Sequence, residues 1–383
     1  MLDKLKYKET NAWPTNSARL EFVDSVRGWA ILLVVLVHSA GLMTKTLPQE
    51  VNNIAYVGAR GVQLFFIISS FSLFYSLRNK NFTIDRNSLA AFYLRRFFRI
   101  APMFYFAILA YLALPSAGIL GHNGKTILNS VSHFTFTFGL WPKFINTIVP
   151  GGWSVATEVG FYLLIPLIFL RIKNLKQSII FILFSYMFSM TFYLLVNNSL
   201  GLELFGKEVW NNWVFFSLPT QLPAFAFGIF LFFLVLKINE NKRHLNLALE
   251  YSNIILFAGL VGCVALVVQG QVNSILFVIP LFLIVLSLSL KKNDFFVNKP
   301  LSFIGRISFS VYLLHFIILD TIGSYINKIL PYPWHGAIAT ANLVIIFIVV
   351  TIATSFFAYI TYRLIEINGM YLGVRFSKVV AKK

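Results

Sequence analysis

Ten predominantly apolar stretches run through the chain, near residues 23–43, 57–77, 95–115, 152–170, 178–197, 213–236, 252–269, 273–290, 307–327 and 337–361. A helix needs about 20 such residues to cross a bilayer, where only helices or closed barrels satisfy every backbone N–H and C=O. The runs are continuous rather than alternating, so they read as helices and not as barrel strands. The expected fold is an all-α integral membrane bundle of about ten transmembrane helices. No repeat, low-complexity tract or linker interrupts the series, which makes residues 1–383 a single membrane-embedded domain. The longest gap, about 116–151, holds Gly121, His122, Asn123, Gly124, Trp141 and Pro142 and reads as partly re-entrant or interfacial.

Only 12% of residues are charged, about half the roughly 25% of a soluble domain, yet the net charge is +18. On a soluble surface that excess would point to nucleic acid. With 58% hydrophobic residues no such surface is available, and the charge has to be read as topology. With a cytoplasmic N-terminus, 25 of the 32 lysines and arginines fall in cytoplasmic segments and five outside, with Arg27 and Arg60 at or inside span ends. This is the positive-inside bias, and it sets both termini in the cytoplasm, with tails at 1–20 and about 364–383. The one cysteine, Cys263, lies in an apolar run, which supplies neither a disulfide framework nor a cysteine metal site. The first twenty residues have no apolar signal-peptide core, so no signal peptide is expected to be removed.

Titratable side chains at membrane depth are costly and by default mark function. Here they are Arg27, His38, Glu158, His315 and Asp320, with Asp24, Arg60 and the Arg95–Arg99 group at the edges. Arg27 and His38 are eleven residues apart, which returns them to nearly the same helix face, separated by roughly 16 Å along the axis. One face thus offers a cation near the cytoplasmic mouth and an imidazole for proton transfer deeper in. In "GGWSVATEVGFYLLIP", Ser154, Glu158 and Tyr162 share a face four residues apart, and Glu158 is expected at a depth comparable to His38. In "ISFSVYLLHF", Tyr312 and His315 are three apart. Each feature has a structural reading as well: lipid-phosphate anchoring for Arg95–Arg99, interhelical hydrogen bonding for His315, bridging for Glu158 or Asp320. His122, His133, His244 and His335 fall in loops or at span edges and receive no role. No G-x-S-x-G elbow, P-loop or HEXXH motif is present.

These residues resemble the acyltransferase-3 family of integral-membrane O-acyltransferases, whose first span carries an arginine, ten residues and then a histidine. Arg27 and His38 in "RLEFVDSVRGWAILLVVLVHSAG" have that spacing. "GARGVQLFFIISSFSLFYSL" resembles the second block, and "FYLRRFFRIAPMFYF" the third, with Arg96, Arg99 and Pro102 in register. "GGWSVATEVGFYLLIP" is similar to the block with Trp153, Ser154, Glu158 and Tyr162, "ISFSVYLLHF" to that with Ser308, Tyr312 and His315, and "AYITYRLIEINGMYL" to the family ending. The six blocks appear in family order over about residues 20–370. Gln63 stands where relatives often have an acidic residue, Ser70 where they have glycine, and Ile367-Asn368 follows Glu366 where Arg/Lys-Pro is usual; the first two imply a variant pocket. Some relatives append an extracytoplasmic SGNH-type domain, and none is expected after the tenth span here.

The resemblance implies transfer of an acyl group, most often acetyl, from cytoplasmic acyl-CoA to a hydroxyl of a glycan at or beyond the outer face. Arg27, Arg96 and Arg99 would hold the anionic donor at the inner mouth. His38 would serve as base or acyl relay, Glu158 would orient an imidazole or contact the sugar, and Trp153 and Tyr162 would stack on a pyranose or pack. Ser154, Tyr312 and His315 complete the supporting set, and no metal is expected. The acceptor would be a surface polysaccharide such as lipopolysaccharide O-antigen, exopolysaccharide or capsule, or a lipid-linked glycan. Lys- and Asn-rich loops fit a bacterial inner membrane. A multi-pass transporter or flippase is the competing reading, but transporters frequently show matched, inverted halves, and no such symmetry is visible.

Overall fold

The computed structural model describes residues 20–43, 47–80, 82–114, 126–197, 201–270, 275–329 and 335–381. Among them every regular element is helical. The first half contains α1 (Glu21–Gly41), α2 (Gln49–Tyr56), α3 (Gly61–Asn79), α4 (Arg86–Ala113), α5 (Ile127–Phe134), α6 (Trp153–Arg171) and α7 (Leu175–Asn197). The second contains α8 (Gly201–Phe205), α9 (Lys207–Phe216), α10 (Leu218–Asn239), α11 (Lys242–Val268), α12 (Val278–Leu290), α13 (Lys299–Arg306), α14 (Ser308–Ile329), α15 (Gly336–Thr361) and α16 (Ile367–Ala381).

Eight helical stretches among the described residues are long and apolar enough to cross a membrane, nine if α13 and α14, bent by 75°, form one span. They answer nine of the ten apolar runs. The remaining run, expected at 273–290, appears as the shorter apolar helix Ile275–Leu290. At 1.5 Å per residue that is roughly 24 Å, less than the roughly 30 Å hydrocarbon core. It packs against α10 and α11, so part of its length is covered by protein. Burial sorts the layers: α2–α3 and α9–α10 are 78% and 72% inside, whereas α7 and α11 are 11% and 17% inside and form the lipid-facing rim.

The site is positioned by α1, α3, α4, α6 and α14. α1 runs beside α3, α13, α14 and α15. Its crossing with α13 depends on two glycines, because a Cβ on Gly28 would meet the Leu301 carbonyl and one on Gly305 the Asp24 carbonyl. Asp85 caps α4 by accepting from the backbone N–H of Asn87 and Ser88, satisfying two first-turn donors. α4 then packs along α16. There Gly369, Gly373 and Ser377 recur every fourth residue and are buried, a small-residue stripe that admits close approach to Arg95, Phe98 and Pro102.

Two expected loops carry structure. Residues 362–381, expected mainly as a tail, continue α15 through a π-turn at Tyr362–Glu366 into α16. The gap segment from Thr126 folds as a cap of α5, a 3₁₀ turn and a buried run with Ile145, Ile148 and Val149. Tyr105 donates to the Phe134 carbonyl at 2.7 Å and Trp213 to the Gly139 carbonyl at 3.0 Å, tying the cap to α4 and α9. The N-terminal tail through Arg19 and His122 lie outside the described residues.

Candidate active site

A cavity opens between α1, α3, α4, α6 and α14, lined on its polar side by Arg27, Ser69, Ser72, Arg96, Arg99, Ser154, Glu158, Tyr162 and Tyr312. The recurrence of three or four residues brings each set to one face: Ser69 and Ser72 on α3, Arg96 and Arg99 on α4, Ser154, Glu158 and Tyr162 on α6. Phe65, Phe66 and Ile100 supply apolar wall.

Glu158 anchors the arrangement. Its Oε1 accepts hydrogen bonds from the Ser69 hydroxyl and the Tyr162 phenol, each at 2.5 Å. The Arg96 guanidinium lies over the Tyr162 ring, 5.6 Å from its centroid, and its Nε is buried without a hydrogen-bond partner. Arg27 extends Nη2 to the Ser72 hydroxyl at 3.4 Å and Nη1 to Asp24 at 3.6 Å. Arg99 points Nη1 at the Met370 sulfur, 3.0 Å away, a weak acceptor for a charged donor. Three guanidinium groups therefore share one hollow with a single lining carboxylate. In a medium of low dielectric that excess of cation attracts an anion strongly.

A hydroxyl chain links α6 to α14 at the cavity. Ser154 donates to the Tyr312 oxygen at 2.8 Å, and Tyr312 donates to the Gly151 carbonyl at 2.8 Å. Gly151 has φ +76°, and a Cβ there would sit 3.0 Å from the Tyr312 oxygen, so glycine serves both the backbone and the contact. One layer behind Tyr312 stand the imidazoles. His315 lies 5.8 Å from Tyr312 and 5.3 Å from His38 between ring centroids, and Phe316 packs 4.4 Å from His38. His315 Nδ1 donates to the Tyr312 carbonyl at 2.7 Å, which leaves Nε2 as the lone-pair nitrogen. That Nε2 is buried with no hydrogen-bond partner.

The structure thus brings Arg27, Arg96, Arg99, Ser154, Glu158, Tyr162 and Tyr312 to one cavity and sets His38 beside His315 just behind it. Glu158, Trp153, Gln63 and Ser70 take the following places. Glu158, expected at a depth comparable to His38, engages Ser69 and Tyr162 in the cavity that the three arginines line, and no imidazole is among the described residues that line that cavity. Trp153 packs, stacked on Phe216 at 4.3 Å, and does not line the cavity. Gln63 and Ser70 do not line it either: Gln63 donates to Gln221 at 3.0 Å, and Ser70 bonds its own helix backbone beside Gly228 of α10. They alter packing between α3 and α10, not the pocket. Ser69 and Ser72 escaped the sequence reading because a serine within an apolar helix carries no spacing signal of its own. No group of three or more His, Cys, Asp or Glu that could hold a metal occurs among the described residues.

The fold and this hollow define a polytopic helical protein whose bundle encloses an arginine-rich, carboxylate-bearing cavity. The chain belongs to the acyltransferase-3 family, whose sequence model, described as an acyltransferase domain, matches residues 20–363. It is similar to the O-acetyltransferase OatA of Staphylococcus aureus strains NCTC 8325 / PS 47, COL and MRSA252, each 25% identical over 369 residues. These alignments cover 90% of this chain and 56% of each relative, so the chain spans about half the length of the curated relatives it matches. No solved structure matches.

Proposed function

We propose that the protein is a membrane O-acetyltransferase that moves an acetyl group from acetyl-CoA to a hydroxyl of a surface or lipid-linked glycan, in a bacterial inner membrane with both termini cytoplasmic. The observation that carries this reading is the convergence of Arg27, Arg96 and Arg99 on the cavity that also holds Glu158. The donor brings several negative charges, and guanidinium groups bind phosphate through charge-assisted, bidentate geometry. Glu158, held by Ser69 and Tyr162, places one negative charge among the three guanidinium groups and offsets part of their mutual repulsion.

In the reaction the acceptor oxygen forms a bond to the acyl carbon, the carbon–sulfur bond breaks, and the hydroxyl proton ends on the coenzyme A thiolate. His38 takes the proton as general base, and His315, its Nδ1–H held by the Tyr312 carbonyl, presents Nε2 as the neighbouring acceptor. Tyr312 lines the cavity beside His315, 5.8 Å from it between ring centroids, with its hydroxyl held by Ser154 and the Gly151 carbonyl. The test is incubation of membranes bearing the protein with labelled acetyl-CoA. Base-labile label on glycan is expected; label that accumulates inside sealed vesicles without ester formation would overturn the reading in favour of transport.

A further inference from the structure

A second hollow opens where α13 lies against the start of α1, lined by Glu21, Asp24, Lys299, Ser302 and Arg306. Positions 21 and 24 on α1, and 299, 302 and 306 on α13, recur three and four apart, so each helix turns one polar face into it. Asp24 and Ser302 are buried at its floor, 2% and 7% exposed, while Lys299 and Arg306 stand exposed at its rim. None of these five side chains takes part in the chemistry proposed for the arginine cavity.

The charges around the hollow are not matched within it. Glu21 accepts from the Lys292 ammonium at 3.2 Å, and Asp24 pairs with Arg27 at 3.6 Å, so both carboxylates already have a cation. Lys299 and Arg306 have no carboxylate within ion-pair distance among the described residues. Arg306 lies instead over the Phe303 ring, 5.8 Å from its centroid. Two cations are therefore left for a ligand, beside carboxylate and hydroxyl oxygens that accept hydrogen bonds. That set suits a molecule carrying phosphate together with hydroxyl or amino donors.

Position ties the hollow to the arginine cavity. On α1 the hollow takes Asp24 and the cavity takes Arg27, three residues on, about 4.5 Å along the axis. On the other wall the hollow takes Ser302 and Arg306, and the cavity takes Ser308 and Phe309, across the 75° bend between α13 and α14. The Asp24–Arg27 pair crosses the boundary between them. The two spaces thus follow one another along the same elements. Beyond its diphosphate, coenzyme A ends in an adenosine that carries a further phosphate on the ribose 3′ oxygen. We propose that the hollow between α1 and α13 holds this adenosine end, with Lys299 and Arg306 on the 3′-phosphate and Glu21, Asp24 and Ser302 accepting from the ribose hydroxyl and the adenine amino group. The inference rests on the donor reading above, which leaves the diphosphate to Arg27, Arg96 and Arg99. The hollow binds and orients the donor, and no bond is made or broken in it.

The test compares the binding of acetyl-CoA and of 3′-dephospho-acetyl-CoA to the full chain in nanodiscs of phosphatidylcholine and phosphatidylglycerol. A charge-assisted contact to phosphate should make the unaltered protein prefer acetyl-CoA by about tenfold or more. The double variant Lys299→Gln, Arg306→Gln should lose that preference and bind the dephospho form as before, which also shows that it is folded. Equal binding of the two forms by the unaltered protein, or an undiminished preference in the variant, overturns the inference. An equal loss for both forms does so too, since it marks a general field rather than a phosphate contact. A lipid headgroup offers similar chemistry, so native mass spectrometry counts the phosphatidylglycerol each protein retains. Lipid lost from the variant with the preference unchanged assigns the hollow to a headgroup and overturns the nucleotide assignment. In all these cases acetyl-CoA binding leaves the donor reading intact; its absence in the unaltered protein overturns both.

Discussion

A carboxylate within the bilayer persists only if its charge is met, and Glu158 meets it with two hydroxyl donors on one oxygen and guanidinium groups around the same cavity. Removing a hydrogen bond to a charged group costs about 1.5–3 kcal/mol. Tyr162→Phe is therefore expected to lower stability by about that amount in thermal unfolding of the detergent-solubilised protein, with Ser69 left as the remaining donor. For the proposed chemistry the residue to test is His38. General-base catalysis contributes about 10²–10⁴-fold, so His38→Ala should abolish detectable acyl transfer while fractionation finds the protein inserted in membranes as before. A fully active His38→Ala protein would sink the mechanism. At this scale the sequence was partly legible: the eleven-residue step from Arg27 to His38 and the four-residue steps through Ser154, Glu158 and Tyr162 declare shared faces. The partners of Glu158 were not legible, because which helix faces α6 is a fact of packing that no local spacing encodes.

Among the elements, α13 shows how little space the assembly leaves. A methyl group at Gly305 would meet the Asp24 carbonyl, so Gly305→Ala must push α13 away from α1 near Arg27. Overpacking of this kind typically costs about 1–3 kcal/mol, to be read as a lowered unfolding temperature. The cap after Thr126 gives a pH-dependent counterpart. His133 is fully buried, stacked on Phe138 at 4.1 Å, and burial pushes its imidazole down from 6.5 to about 4. Because the folded value lies below the unfolded one, its contribution to stability is fully present above pH 6.5 and is lost progressively as pH falls towards 4. Melting curves through that window should fall for the native protein and flatten for His133→Phe. A histidine that the sequence leaves without a role thus holds the cap together: a loop histidine gives no pattern, and only the folded segment reveals its burial. Element positions were more legible, since long apolar runs mark helices directly. The length of Ile275–Leu290 was not, because cover by α10 and α11 relaxes the demand for a full-length span.

For the whole molecule, the basic residues predict an orientation that no single helix could give. The proposal places both ends in the cytoplasm, so a reporter protein active only outside the cytoplasm should be silent when fused after Lys383, and a cytoplasmic one active. Orientation also bears on α15 and α16, which run as one stretch from Gly336 to Val380, 45 residues long. At 1.5 Å per residue that is roughly 68 Å, about twice the thickness of a hydrocarbon core. Such a stretch must tilt or project beyond the lipid, and its end is joined to α4 by the stripe at Gly369, Gly373 and Ser377. Membrane thickness is therefore expected to act on the protein as a mechanical variable. Any change in the tilt of this long strut is shared by the helix that bears Arg96 and Arg99, so host bilayers of different acyl length should retune the protein without altering a residue.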